Sequence, residues 1–167
     1  MQQDLPTKLK KDIDIWVNKF PQEKKRSSLL MALKLAQDEY GWLSDQTIDA
    51  VADYLNLPHA YAYEVVSFYS LYRRKPCGKH VIKVCTSISC HLRNSTDVIN
   101  YCQNKLGIKL GETTEDGQIT LEETECIAAC AGAPALQVDD RTYHEHVNEN
   151  VLDKLIHDLQ NKERAHD

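Results

Sequence analysis

Two pairs of closely spaced cysteines constrain this chain more than anything else in it. Cys85 and Cys90 stand in Cys-Thr-Ser-Ile-Ser-Cys, and Cys126 and Cys130 in Cys-Ile-Ala-Ala-Cys. A short loop brings two thiols together at small entropic cost, and two such loops can converge on one metal centre. The fold must therefore carry two segments remote in sequence to the same place. The chain has 167 residues, 42% of them hydrophobic, enough for one good core or for a domain with a smaller appendage.

Charge narrows the function. The net charge is −5, yet residues 1–35 hold eight Lys/Arg against four Asp/Glu. The run Gly111–Glu125 holds six acids and no base. A nucleic-acid binder would present a dominant basic face, so the charge distribution argues against that class. The acidic run is either a solvated face or a docking surface for a basic partner. No segment approaches the ~20 apolar residues of a membrane span. The N-terminal MQQDLPTKLKKDIDIW mixes acids and bases without an apolar core, unlike a secretory signal, and its acids argue against a transit peptide. The expectation is a cytoplasmic chain whose thiols stay reduced, which favours metal or redox chemistry over a disulfide framework.

The first ~75 residues carry helical periodicity. Leu9, Ile13, Trp16 and Phe20 form one stripe, stopped by Pro21. Leu29, Leu33, Ala36 and Tyr40 form a second, ended by Gly41 as a left-handed residue. Ser44 can cap a third helix that buries Ile48, Val51, Ala52 and Leu55. Pro58 suits the first turn of a fourth, running through Val65, Val66 and Tyr69, with Arg73, Arg74 and Lys75 at its C-terminus and Pro76 beyond.

The period then changes. Val81–Val84 is short, apolar and β-branched, a buried strand that leads directly into Cys85. Ser95 or Thr96 can cap the next helix, with Val98, Cys102 and Leu106 on one face and Gly107 at its end. Asp116-Gly117 reads as a turn before alternating Ile119 and Leu121. Ala135–Val138 and Arg141–Tyr143 flank Asp139-Asp140 as a hairpin, and a last helix covers roughly Asn148–Leu159. The fold class is α/β (α+β): an N-terminal helical bundle over residues 1–77, then a mixed layer over residues 78–167.

Cysteine spacing leaves the metal open. Zinc takes a closed tetrahedron of four ligands, while a [2Fe–2S] cluster takes two thiolates per iron. The neighbourhood tilts the balance toward iron and sulfur. Ala128, Ala129, Ala131, Gly132 and Ala133 are nearly without bulk, so backbone N–H groups can approach the sulfurs, and Thr86, Ser87 and Ser89 add hydroxyls. Neither loop is the Cys-x-x-Cys of a dithiol oxidoreductase. Chemistry alone therefore favours an electron carrier.

The chain also resembles the thioredoxin-like [2Fe–2S] ferredoxin family, which includes the 24 kDa or E subunits of NADH:quinone oxidoreductase (respiratory complex I). The likeness runs through Leu35–Leu43, Val66–Tyr69, Val84–Cys90, Leu106–Thr114, Glu125–Cys130 and Ala133-Pro134. It implies that Cys85 and Cys90 hold one iron and Cys126 and Cys130 the other, within a thioredoxin-like domain behind a helical bundle. It implies a partner flavoprotein carrying FMN and the NADH site, other peripheral-arm subunits, and a place on the cytoplasmic side of a bacterial inner membrane. Ala128 and Ala131 stand where many members carry glycine, and Asn94 where glycine is frequent.

The chain has six glycines and no Gly-x-Gly-x-x-Gly or Walker loop, so if it serves NADH oxidation another chain must bind the nucleotide and flavin. The expectation is an electron-transfer subunit with one [2Fe–2S] cluster and no catalytic nucleotide site of its own. Two alternatives share parts of the pattern: the equivalent subunit of an NAD-reducing hydrogenase or formate dehydrogenase, and a zinc-stabilised binding module. Cys102 reads as core packing, Cys77 as a junction thiol, His91 as a bystander, and His144 and His146 as a pair alternating on one strand face. The outer faces of the N-terminal helices are a candidate docking surface for the flavoprotein.

Overall fold

The apolar stripes of the N-terminal half become helices in the computed structural model, which describes residues 4–161. The outer ends of the two expected domains, residues 1–3 and 162–167, lie outside the described residues. Among the described residues the chain divides into two compact units between Pro76 and Cys77.

The first unit contains α1 (Thr7–Val17), a 3₁₀ segment Gln22–Ser28, α2 (Leu29–Tyr40), α3 (Asp45–Tyr54) and α4 (His59–Phe68). Its core is built from the expected stripes: Leu9 and Ile13, then Leu29, Leu33 and Ala36, then Ile48, Val51, Ala52 and Leu55, with Ala62 and Val66 of α4. Each large side chain buried this way contributes about 1.5–3 kcal/mol. Gly41 closes α2 at φ 80°, a conformation that costs glycine nothing sterically. The Ser44 hydroxyl accepts the Thr47 N–H at 3.1 Å and caps α3.

Three expectations in this unit are corrected. Phe20 lies beyond α1, because a residue preceding proline is pushed out of the helical region. Pro58 stands just before α4, at ψ 134°, and not within its first turn. Arg73–Lys75 lie well past the end of α4 at Phe68. A buried amide holds them instead. The Gln37 side chain, 2% exposed, donates to the Leu71 carbonyl at 2.9 Å and accepts the Arg73 N–H at 2.6 Å. Tyr72 adds a hydroxyl bond to the Leu30 carbonyl (2.7 Å), and Arg74 pairs with Asp45 in the first turn of α3.

The second unit is one mixed four-stranded sheet, β1 (His80–Cys85), β2 (Ile119–Thr124), β3 (Leu136–Val138) and β4 (Thr142–His144), in the order β2-β1-β3-β4. β1 pairs parallel with β2 and antiparallel with β3, and β3 pairs antiparallel with β4. The helices are α5 (Ile88–His91), α6 (Ser95–Leu106) and α7 (Glu149–Asn161). β1 is buried at every position, which explains its unbroken apolar run. Ile82, Val84, Ile119, Leu121, Leu136 and Val138 pack with Val98, Ile99 and Cys102 of α6 and Leu152, Leu155, Ile156 and Leu159 of α7. The one charged residue of β1, Lys83, ends on Asp140 at 2.7 Å. No helix among the described residues is long and apolar enough to cross a membrane.

The Asp139-Asp140 hairpin turn is present, with both residues left-handed at φ 55° and 58°. The Asp139 carboxylate makes that conformation local and specific: it accepts the Val81 N–H at 2.9 Å and meets His80 Nδ1 at 2.7 Å. The cap of α6 differs from expectation. Asn94, left-handed at φ 63°, precedes the helix, and Ser95 is its first residue. The unanticipated α5 ends so close to α6 that the chain must reverse within a tight turn, for which asparagine is suited.

Gln37→Leu keeps most of the volume but leaves the Leu71 carbonyl and Arg73 N–H without their partner. The expected loss is roughly 2–3 kcal/mol, read as a lower urea midpoint at unchanged m-value. A second test concerns His59, which lies 2.7 Å from Asp53 and 3.1 Å from Asp49. The Asp53 hydrogen bond is the main reason its pKa is raised above the ordinary 6.5. The wild-type advantage over His59→Gln in thermal midpoint should be full below pH 6.5 and vanish as pH rises through the raised value.

Candidate metal centre

Strand register brings the two cysteine loops together. β1 and β2 run parallel with Cys85 opposite Thr124, so β1 ends on Cys85 and β2 ends two residues before Cys126, at the same edge of the sheet. The Thr86 N–H donates to the Thr124 carbonyl at 3.0 Å, tying the two exits. The first loop then forms α5, which carries Cys90. The second loop turns through a 3₁₀ segment, Cys130–Gly132, and returns to the sheet at Ala135.

Ala135 joins the loops. Its carbonyl accepts the Cys85 N–H at 3.1 Å, and its own N–H donates to the Cys90 sulfur. Cys85, Cys90 and Ala135 form a small buried cluster, with Ile127, Ala129 and Ala133 packed against it. Cys85 and Cys90 are 1% and 2% exposed, whereas Cys126 and Cys130 are exposed. The Cys126 and Cys130 sulfurs lie 3.7 Å apart, and the Ala128 N–H points at Cys126 Sγ from 3.4 Å.

Burial pushes the Cys90 thiol above its ordinary pKa; the Ala135 N–H opposes this, while the neighbouring Cys85 and Cys130 thiols add to it. The Cys90 thiol therefore feels both its loop partner and the second loop. The four sulfurs form two pairs, one sheltered and one at the surface; among the described residues no three or more His, Cys, Asp or Glu converge on a single ion position. This donor set fits a [2Fe–2S] cluster, in which each iron takes two thiolates and backbone N–H groups reach the sulfurs. The expectation that small residues admit N–H groups is met by Ala128; Ala135 is not among the residues expected to do so. The Thr86 hydroxyl turns away, to the Thr124 carbonyl at 3.3 Å.

The remaining candidates separate cleanly. Cys102 is fully buried in the sheet–helix core, and burial alone pushes its thiol up to about 12. Cys77 is half-buried and in no disulfide. His91 is exposed in α5. His144 and His146 do not share a strand face: β4 ends at His144, and His146 is left-handed at φ 49°. His144 is half-buried, which lowers its pKa. The short helix α5 is the element sequence reading missed; its only signal was the Ser87-Ile88-Ser89 start between the two ligand candidates.

Comparison with known proteins agrees with this geometry. The family model for thioredoxin-like [2Fe–2S] ferredoxins matches residues 13–160. The E subunit of NADH-quinone oxidoreductase from Rickettsia felis is 45% identical over 146 residues, covering 87% of both chains. NADH dehydrogenase [ubiquinone] flavoprotein 2, mitochondrial, of Dictyostelium discoideum is 37% identical over 86% of this chain and 59% of that protein. An NAD+-reducing [NiFe]-hydrogenase in the air-oxidised state shares the fold, with a TM-score of 0.69 at 22% identity over 80% of this chain. This chain spans about a quarter of that hydrogenase chain, 23% of its length.

Ala128 is left-handed at φ 62°, which explains why glycine suits this position. For a residue with a Cβ that conformation costs roughly 1–2 kcal/mol, partly offset by the greater unfolded-state freedom of glycine. Ala128→Gly is therefore expected to stabilise the loop by up to about 1 kcal/mol, visible as slower loss of visible absorbance under chelator challenge. Faster bleaching than wild type would contradict the strain argument.

Proposed function

The chain belongs to the thioredoxin-like [2Fe–2S] ferredoxin family, and from that premise we propose that it is the electron-transfer subunit of an NADH-quinone oxidoreductase. In this reading Cys85 and Cys90 hold one iron of a single [2Fe–2S] cluster and Cys126 and Cys130 hold the other. What supports it is the delivery of both cysteine loops to one edge of the sheet by the parallel β1–β2 pair, with Ala135 of the second loop bonded to Cys85 and Cys90. Residues 1–77 form the helical domain and residues 78–167 the ferredoxin domain.

When bound, the cluster supplies one-electron redox chemistry. The chain's own residues do the holding and tuning. The four thiols bind. Ala135 and Ala128 direct N–H groups at Cys90 and Cys126, which stabilises negative charge on sulfur. Ile127, Ala129 and Ala133 pack over the inner pair and keep water from it. No nucleotide-binding loop occurs in the sequence, so FMN and NADH belong to a partner flavoprotein with which this chain exchanges electrons. Other peripheral-arm subunits complete the assembly, on the cytoplasmic side of a bacterial inner membrane. The likeness to the hydrogenase is one of fold, whereas the 45% identity to the Rickettsia felis protein favours the respiratory context.

Protein purified without air should contain two irons and two acid-labile sulfides per chain. Changing Cys85, Cys90, Cys126 or Cys130 to serine should abolish or alter the EPR signal of the reduced protein, while Cys102→Ser leaves it intact. One zinc without sulfide, or an unchanged signal in Cys126→Ser, would overturn the assignment.

A further inference from the structure

We propose that the Glu145 carboxylate is a negative charge, laid against the second cysteine loop at Gly132, that lowers the reduction potential of the cluster. The inference rests on the [2Fe–2S] reading above and concerns a residue outside the ligand set.

The geometry begins with Gly132, buried two residues beyond Cys130. A methyl group built on Gly132 would lie 2.5 Å from the Cβ and Cδ of Glu145 and 2.6 Å from its Cγ. The Glu145 side chain is thus laid along Gly132 from its root to its carboxyl carbon, and only glycine leaves it room. Backbone bonds hold it there. The His146 N–H donates to the Gly132 carbonyl at 2.6 Å, and the Val147 N–H to the Pro134 carbonyl at 3.0 Å. His146, left-handed at φ 49°, turns the chain between these two bonds. The segment from β4 to α7 is therefore a strap across the second cysteine loop, and its main chain sets the Glu145 Cβ against Gly132. Among the described residues no cation is paired with Glu145.

Reduction adds one electron to the cluster, with no bond made or broken. A nearby carboxylate disfavours that added charge, and the penalty weakens with distance and with salt. Net charge around the cluster is one of the recognised controls on its potential. Glu145 is exposed, as Glu123 and Glu125 are, but its side chain lies along Gly132 of the second cysteine loop.

The test is potentiometric titration of the anaerobically purified full-length chain, followed by EPR at low ionic strength. Glu145→Gln keeps length and shape but removes the charge. It should shift the reduction equilibrium about threefold toward the reduced form, about 30 mV upward for one electron. Glu145→Asp should stay nearer the wild type. Glu115→Gln removes the same charge from ahead of β2, at the opposite end of the sheet, and should leave the potential in place. The difference between wild type and Glu145→Gln should shrink as salt is raised. A wild-type potential in Glu145→Gln, or an equal shift in Glu115→Gln, overturns the proposal. Should the glutamine variant fail to hold its cluster, Glu145→Thr carries the same test. A wild-type chain without a [2Fe–2S] spectrum would instead refute the underlying reading, so the two failures are distinguishable.

Discussion

The backbone of Ala135 is bonded on both sides to the first cysteine pair, accepting the Cys85 N–H and donating to the Cys90 sulfur. β3 starts one residue later and pairs antiparallel with β1. The bond that begins this pairing therefore also sets the distance between the loops. The chain between Thr124 and Ala135 must cross the end of the sheet in a short span, which carries Cys126 and Cys130 to the first loop. Sheet pairing and the placement of the first thiol pair are consequences of the same backbone bonds.

That arrangement makes the two thiol pairs unequal. The first is buried, and its thiolates would be costly without N–H groups or a metal to balance them. The second lies at the surface, beside Glu123 and Glu125 and under the strap that carries Glu145. A centre sheltered on one side and open on the other is suited to a group that must keep its integrity yet exchange electrons with another chain. On the open side, Ala128 has a left-handed backbone that aims its N–H at Cys126.

Much of the fold was legible because local signals agreed with tertiary need. Leu29, Leu33 and Ala36 are buried where periodicity put them, Gly41 and Ser44 end and begin helices as their chemistry dictates, and Val81–Val84 is the central strand. Two of the misreadings share a cause, a partner distant in sequence. Arg73–Lys75 leave the helix because Gln37 captures the backbone beside them. The Thr86 hydroxyl donates instead to the Thr124 carbonyl at the end of β2. Ser95 yields to Asn94 because α5, invisible in the periodicity, forces a reversal ahead of α6.

The sequence by itself determined the donor chemistry and the strand feeding Cys85, since cysteine spacing, side-chain size and β-branching are local properties. Together with the resemblance they support, these residues also identified the family. Only the tertiary structure decided which pair is buried, which N–H meets which sulfur, and that Glu145 lies on Gly132. Those depend on strand register and on where loops cross, and register is set by hydrogen bonds between segments that no local pattern records.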